Sequence, residues 1–209
     1  MKTENGKVKT ASKREQRKLI YSAEWEQIQD RTAGLKVKGE FHTPSVFMSL
    51  NKSETNNITM ENTMARGMRN NNPLNIRHSA SKWQGARVNQ TDRAFVQFES
   101  MAMGYRAAWR VMESYWRYFH DNREPFTVRN IIHRWAPPQE NNSESYVRTV
   151  CLLSGLGGNE AMPRPRTAKL YGVLDKMVKL LVAMTCVECG LRPQQVSEED
   201  IRNGYEAAF

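Results

Sequence analysis

The chain has 209 residues, 39% of them hydrophobic, and a formal net charge of +9, which suits one ordinary domain with a tail or two small domains. No apolar run is long enough to span a bilayer, and the basic opening "MKTENGKVKTASKREQRKLI" lacks the apolar segment of a secretory signal. The positive balance favours polyanionic surroundings: nucleic acid, anionic lipid or the acidic polymers of a bacterial wall.

Residues 1–63 carry few apolar clusters and end in the polar run "MSLNKSETNNITMENT". They read as a disordered basic leader, with a short charged helix over 12–30 as the alternative. Their 11 Lys+Arg and 8 Asp+Glu leave 20 and 14 for residues 64–209, so the basic excess is not a property of the leader alone. Met64 then opens "MARGMRNNNPLNI", which reads as a native protein start.

Between 66 and 100, Pro73, Gly85 and the asparagine run oppose helix, while "AFVQF" alternates as a short strand does. From Met103 onward, Tyr105, Ala108, Trp109, Met112, Tyr115, Trp116 and Phe119 keep the rhythm of a buried helical stripe. "TVRNIIHRW" predicts a short amphipathic helix capped by Thr127 and ended by Pro137-Pro138. Asn142 or Ser143 should cap the next helix, and Gly155 or Gly157 should stop it.

"MPRPR" reads as a rigid loop. Leu170, Val173, Leu174, Met177, Val178, Leu181 and Met184 then predict the longest helix, ended by Gly190. Ser197 caps a last helix that runs to Phe209. The expected architecture is mainly α (α+β): five helices after residue 100, with a small irregular asparagine-rich lobe.

Four groups of residues could carry chemistry. Asparagine amides both donate and accept, so the lobe could bind sugar hydroxyls and acetamido groups beside Trp83, or satisfy its own backbone. The turn "RWAPPQENNSESY" presents Glu140, Asn141 and Asn142 near a helix N-terminus, which suits a capping anion better than a general acid. Cys186 and Cys189 sit at a helix C-terminus, where thiolates gain nothing, and the four histidines show no ligand spacing; buried structural cysteines and no metal or other cofactor are expected. Arg106, Arg110, Arg117 and Arg129 could form a basic stripe for nucleic acid, although the neighbouring aromatics belong to the buried face and no nucleic-acid motif supports it.

"RGMRNNNPLNIR", "KWQGARVNQTDRAFVQF", "GYRAAW" and "IIHRWAPPQENNSESYV" together resemble a family of phage virion structural proteins. Its signature is Arg-Gly-(Ile/Leu)-Arg-Asn-Asn-Asn-Pro-(Gly/Leu)-Asn-Ile-Arg, and similar copies occur in Bacteroides-type genomes. The resemblance covers roughly residues 64–209. A fainter one, to flagellar and autolysin-type glucosaminidases, implies a lysozyme-like fold. By that similarity Asn71, Asn72, Asn75, Ile76, Trp83 and Gly85 would line a glycan cleft, with Tyr146 near it.

In those enzymes the catalytic Glu ends a helix before the asparagine motif. Here that region reads "SETNNITMENTMARG", and Glu54 and Glu61 fall in the leader. The remaining candidates are Glu140, Asp92 and Glu99.

The sequence therefore points to a phage-derived protein that engages peptidoglycan. Hydrolysis would use Glu140 as acid and Asp92 as partner, with Asn71, Asn72, Asn75, Trp83, Asn141 and Tyr146 on the glycan. The alternatives are a non-catalytic virion structural protein and, third, a basic nucleic-acid-binding protein. The expected partners are peptidoglycan strands or virion proteins. The expected location is the cytoplasm at synthesis, then the virion or the medium after lysis.

Overall fold

In a computed structural model, residues 64–209 apart from residue 140 are described. The expected leader over 1–63 and the candidate acid Glu140 lie outside them. The described chain is mainly α-helical: α1 (Arg66–Arg69), α2 (Met101–Asp121), α3 (Val128–Trp135), α4 (Ser143–Ser154), α5 (Leu174–Cys189) and α6 (Glu198–Ala208). Short 3-10 turns occupy Pro165–Thr167 and Pro193–Gln195. No helix among the described residues is long and apolar enough to cross a membrane.

The body grows from caps and stripes. Ser100 starts α2 by accepting from the Met103 amide, and it lies five residues ahead of Tyr105, the first stripe residue read in the sequence. Thr127, Asn142 and Ser197 cap α3, α4 and α6 in the same way. Gly155 and Gly190 close α4 and α5 in the left-handed region, at φ 69 and 63.

Tyr105, Trp109 and Met112 of α2 are fully buried, and α6 is the main element packed against them. Trp109 stands edge-on to Tyr205 at 5.1 Å and donates Nε1–H to the Ile201 carbonyl at 2.8 Å. Gly204 permits this approach, because a Cβ there would lie 2.7 Å from the Tyr105 Cβ.

Helix α5 is buried on nearly every side, through Met177, Val178, Leu180, Leu181, Ala183 and Met184. It forms the centre of the body, and α4 packs along it. Two expectations about α5 need correction. It begins at Leu174 and not near Leu170, because the chain first turns through Gly172 at φ 66 and leaves Leu170 78% exposed. It is also not the longest helix: α2 has 21 residues against 16, since Ser100 and Asn122 cap it well beyond its central stripe.

The lobe over 66–100 contains isolated antiparallel bridges, Arg77 with Phe95 and Ala86 with Phe98, in place of a continuous strand. "AFVQF" does not alternate either: Val96, Gln97 and Phe98 are all buried. Leu74, Ile76, Val96 and Phe98 give the lobe an apolar centre, so Trp83 is not its sole core residue. The lobe meets α2 at Gly104, where a Cβ would come within 2.0 Å of the Asn71 carbonyl oxygen.

The "MPRPR" loop is held by a buried ion pair. Glu113 of α2, only 3% exposed, accepts from Arg164 Nε at 3.0 Å and Nη2 at 2.7 Å, and from the Arg166 amide at 3.2 Å. Arg164 also lies 4.3 Å over the Trp116 ring.

Candidate functional site

The asparagines of the lobe are mostly occupied with the backbone. Asn72 is 0% exposed; its Nδ2 donates to the Ile76 and Val96 carbonyls, and its Oδ1 accepts from the Ile76 amide. The expected glycan contact Asn72 thus has its amide bonded inside the lobe. Asn71 donates to the Phe98 and Glu99 carbonyls at 3.1 and 3.2 Å. Asn70 receives Gln97 Nε2–H at 3.1 Å and gives its own amide to Asp92 at 2.7 Å. Short amides here replace the ladder that a longer strand would supply.

Asp92 is the hub of this arrangement. Arg66 grips it with Nε and Nη2, both at 2.6 Å, and the Ala94 and Phe95 amides donate to Oδ1. The Arg66 guanidinium, followed by Asn70 and those amides, holds the Asp92 carboxyl well below the usual carboxylate range. The expected catalytic partner Asp92 is thus placed in a clamp with Arg66, Asn70 and two backbone amides. Glu99 is exposed on the surface.

A different carboxylate gathers two of the expected glycan residues, Asn75 and Tyr146. Glu188, in the last turn of α5, accepts Tyr146 O–H at 2.9 Å and Trp135 Nε1–H at 3.0 Å on Oε1. Its Oε2 accepts Asn75 Nδ2–H at 3.0 Å. The donors come from two of the motifs: Asn75 from "RGMRNNNPLNIR", and Trp135 and Tyr146 from "IIHRWAPPQENNSESYV".

Burial, reinforced by the Glu188 charge, pushes the Tyr146 phenol well above its ordinary value, so it stays a donor. Asn75 itself stands at φ 50, and its Oδ1 is buried with no partner among the described atoms. A left-handed backbone and an unsatisfied acceptor on one residue are the kind of strain that collects at functional sites.

The expected site thus divides. Asn75 and Tyr146 come together; Asn72 and Asp92 belong to the lobe's own scaffold. Asn141 sits exposed after the Pro137-Pro138 turn, its amide 3.5 Å from the Pro137 carbonyl. Trp83 is half-buried, and its ring N–H is enclosed without a partner among the described residues. Glu188 and Trp135 had not been singled out. A signal for Glu188 existed: it falls seven residues after Leu181 and four after Met184, on the buried stripe of its own helix.

No protein-family model matches the chain. Protein P5 of Pseudoalteromonas phage PM2 is 32% identical to it over 155 residues, which is 72% of this chain and 86% of that protein. The chain belongs to the phage P5 family.

In this P5-family chain the four arginines of the expected basic stripe are engaged internally. Arg106 and Arg110 donate to the Ala207 and Ala208 carbonyls at the end of α6, Arg117 lies 3.4 Å from Glu113, and Arg129 pairs with Glu144 and Asn159. Cys186 and Cys189 are buried, and burial pushes both thiols up to about 12. Cys189 Sγ–H points to the Pro73 carbonyl at 3.3 Å, tying α5 to the asparagine loop.

A cleft of about 1010 Å³ opens beside the clamp, lined by Arg66, Met68, Arg69, Asn70, Asp92 and Arg93 among others. A smaller one of about 380 Å³, with Tyr118, Glu124, His133 and Arg134 on its walls, lies between the end of α2 and α3.

Proposed function

We propose that this P5-family chain is a virion-associated protein whose domain over 64–209 engages the glycan strands of peptidoglycan. Glu188 is the carboxyl group assigned to glycan cleavage. The observation that carries this reading is the convergence of Asn75, Trp135 and Tyr146 on one carboxylate at the C-terminal end of a central helix. The resemblance to lysozyme-like glucosaminidases asks for a Glu that ends a helix before the asparagine motif. Glu188 also ends a helix and contacts Asn75, but it follows the motif in the chain, so its assignment rests on the contacts and not on the resemblance.

In the chemistry envisaged, the Glu188 carboxyl would give a proton to the leaving glycosidic oxygen, and water adding at the anomeric carbon would return a proton to the same carboxylate. Trp135 and Tyr146 orient the group through Oε1.

The test is release of soluble fragments from purified peptidoglycan by wild type, Glu188→Gln, Glu140→Gln and Asp92→Asn. The expected result is loss of release in Glu188→Gln with pelleting onto the wall retained. Loss confined to Glu140→Gln would move the acid to the Trp-Ala-Pro-Pro turn and sink the assignment to Glu188.

A second reading, a non-catalytic virion structural protein, is favoured by how fully Asn70, Asn71 and Asn72 are used internally. Under it, wild type releases nothing.

A further inference from the structure

The cleft beside the Asp92 clamp combines an unusual charge balance with a pre-set guanidinium. Arg66 and Arg93 line it with one carboxylate, Asp92. That carboxylate is spent on Arg66 Nε and Nη2, which fixes the guanidinium plane and leaves Nη1 uncommitted among the described residues. The Phe95 ring supports the same group at 4.6 Å and is backed by Arg77 at 5.4 Å. Arg93 is exposed on the rim and makes no ion pair among the described residues.

Asp92 therefore acts as the holder of an arginine. A planar guanidinium held in one orientation, with a second cation beside it, matches a carboxylate-bearing ligand. No aromatic side chain is among the cleft's lining residues, and Phe95 has arginines over its ring, so there is no stacking platform of the kind that single-stranded nucleic acid needs.

We infer that this cleft binds the carboxylates of the peptide stems attached to the glycan, so the protein selects peptide-substituted strands over neutral ones. The inference rests on the peptidoglycan reading above and narrows its substrate class. Helix α1 joins the two places: Arg66, Met68 and Arg69 line the cleft, while Gly67 faces Cys189 and Asn75 so closely that a Cβ would meet them at 2.9 and 3.0 Å. A stem carboxylate in the cleft would thus set the strand one helical turn away from Glu188.

The test is co-sedimentation of the full chain with three solids: purified peptidoglycan, the same material with its carboxyls converted to amides, and chitin as a neutral glycan. Wild type is compared with Arg93→Gln and Arg93→Lys; Arg93 is exposed and holds nothing else in place, so both variants should fold. The expected result is binding to native peptidoglycan about fivefold tighter than to the amidated material, the scale of one partly exposed charge contact. Arg93→Gln should remove that preference, Arg93→Lys should restore part of it, and chitin binding should be the same for all three proteins.

Equal binding to native and amidated peptidoglycan would overturn the inference and leave the glycan reading standing. Binding to none of the three solids would overturn both, and Arg93-dependent binding of duplex DNA in that case would replace them with a nucleic-acid role.

Discussion

In the lobe over 66–100, side-chain amides share the pairing of backbone groups with scattered backbone bonds, whereas in the body the pairing lies within helices and apolar side chains fill the space between. Asn72 shows the first strategy, with three bonds to backbone atoms and no exposure. Trp109 shows the second, with full burial and one bond to α6. The two regions also treat a carboxylate differently. Asp92 faces a cation and backbone amides, while Glu188 faces three neutral side-chain donors.

The contrast can be broken most severely in the body. Trp109→Ala should cost about 4 kcal/mol in urea unfolding, from lost burial and an unfilled cavity. Next comes the joint between the regions: Gly104→Ala forces a methyl onto the Asn71 carbonyl and should cost about 3 kcal/mol. A loss below about 1 kcal/mol would mean that the lobe moves freely relative to α2.

Within the lobe, Asn72→Leu should cost about 2–3 kcal/mol although it preserves size, because buried Ile76 and Val96 groups lose their partner. In the body, the equally size-preserving Leu180→Met should cost less than about 1.5 kcal/mol. Similar losses for these two changes would erase the distinction between the regions.

The smallest effect concerns Asp92 and depends on pH. Its folded carboxyl is held below the unfolded value, so the folded state binds fewer protons through the acid range. The stabilisation is fully present above the ordinary carboxylate pKa of about 4 and is lost as pH falls toward the folded value. With Arg66 half-exposed, Asp92→Asn should cost about 1–2 kcal/mol at pH 7 and progressively less below pH 4. A pH-independent loss would show that the clamp works by hydrogen-bond geometry alone.

Much of the body was legible because its signals are local. The stripe from Tyr105 to Phe119 and the caps at Thr127, Asn142 and Ser197 depend on neighbours a turn or two away. The rhythm misled where it ran on through Leu170 and Val173, since Gly172 turns the chain before α5 begins. The asparagine run was legible as a cluster but not as a role: an amide's chemistry is the same whether it meets a sugar or a carbonyl, and only the fold around Asn72 decides between them. Glu188 lay on a visible buried stripe, yet nothing near it in sequence named a partner.

By itself, then, the sequence determined a mainly helical domain, the ends of most of its helices, buried cysteines and a motif-bearing lobe of phage type. The tertiary structure alone decided which carboxylate Asn75, Trp135 and Tyr146 bond to. The donors to Glu188 lie 113, 53 and 42 positions away along the chain, and only packing α3, α4 and the asparagine loop around the end of α5 brings them within hydrogen-bonding distance. Local pattern records what each residue prefers; which distant residue answers it depends on how the layers close.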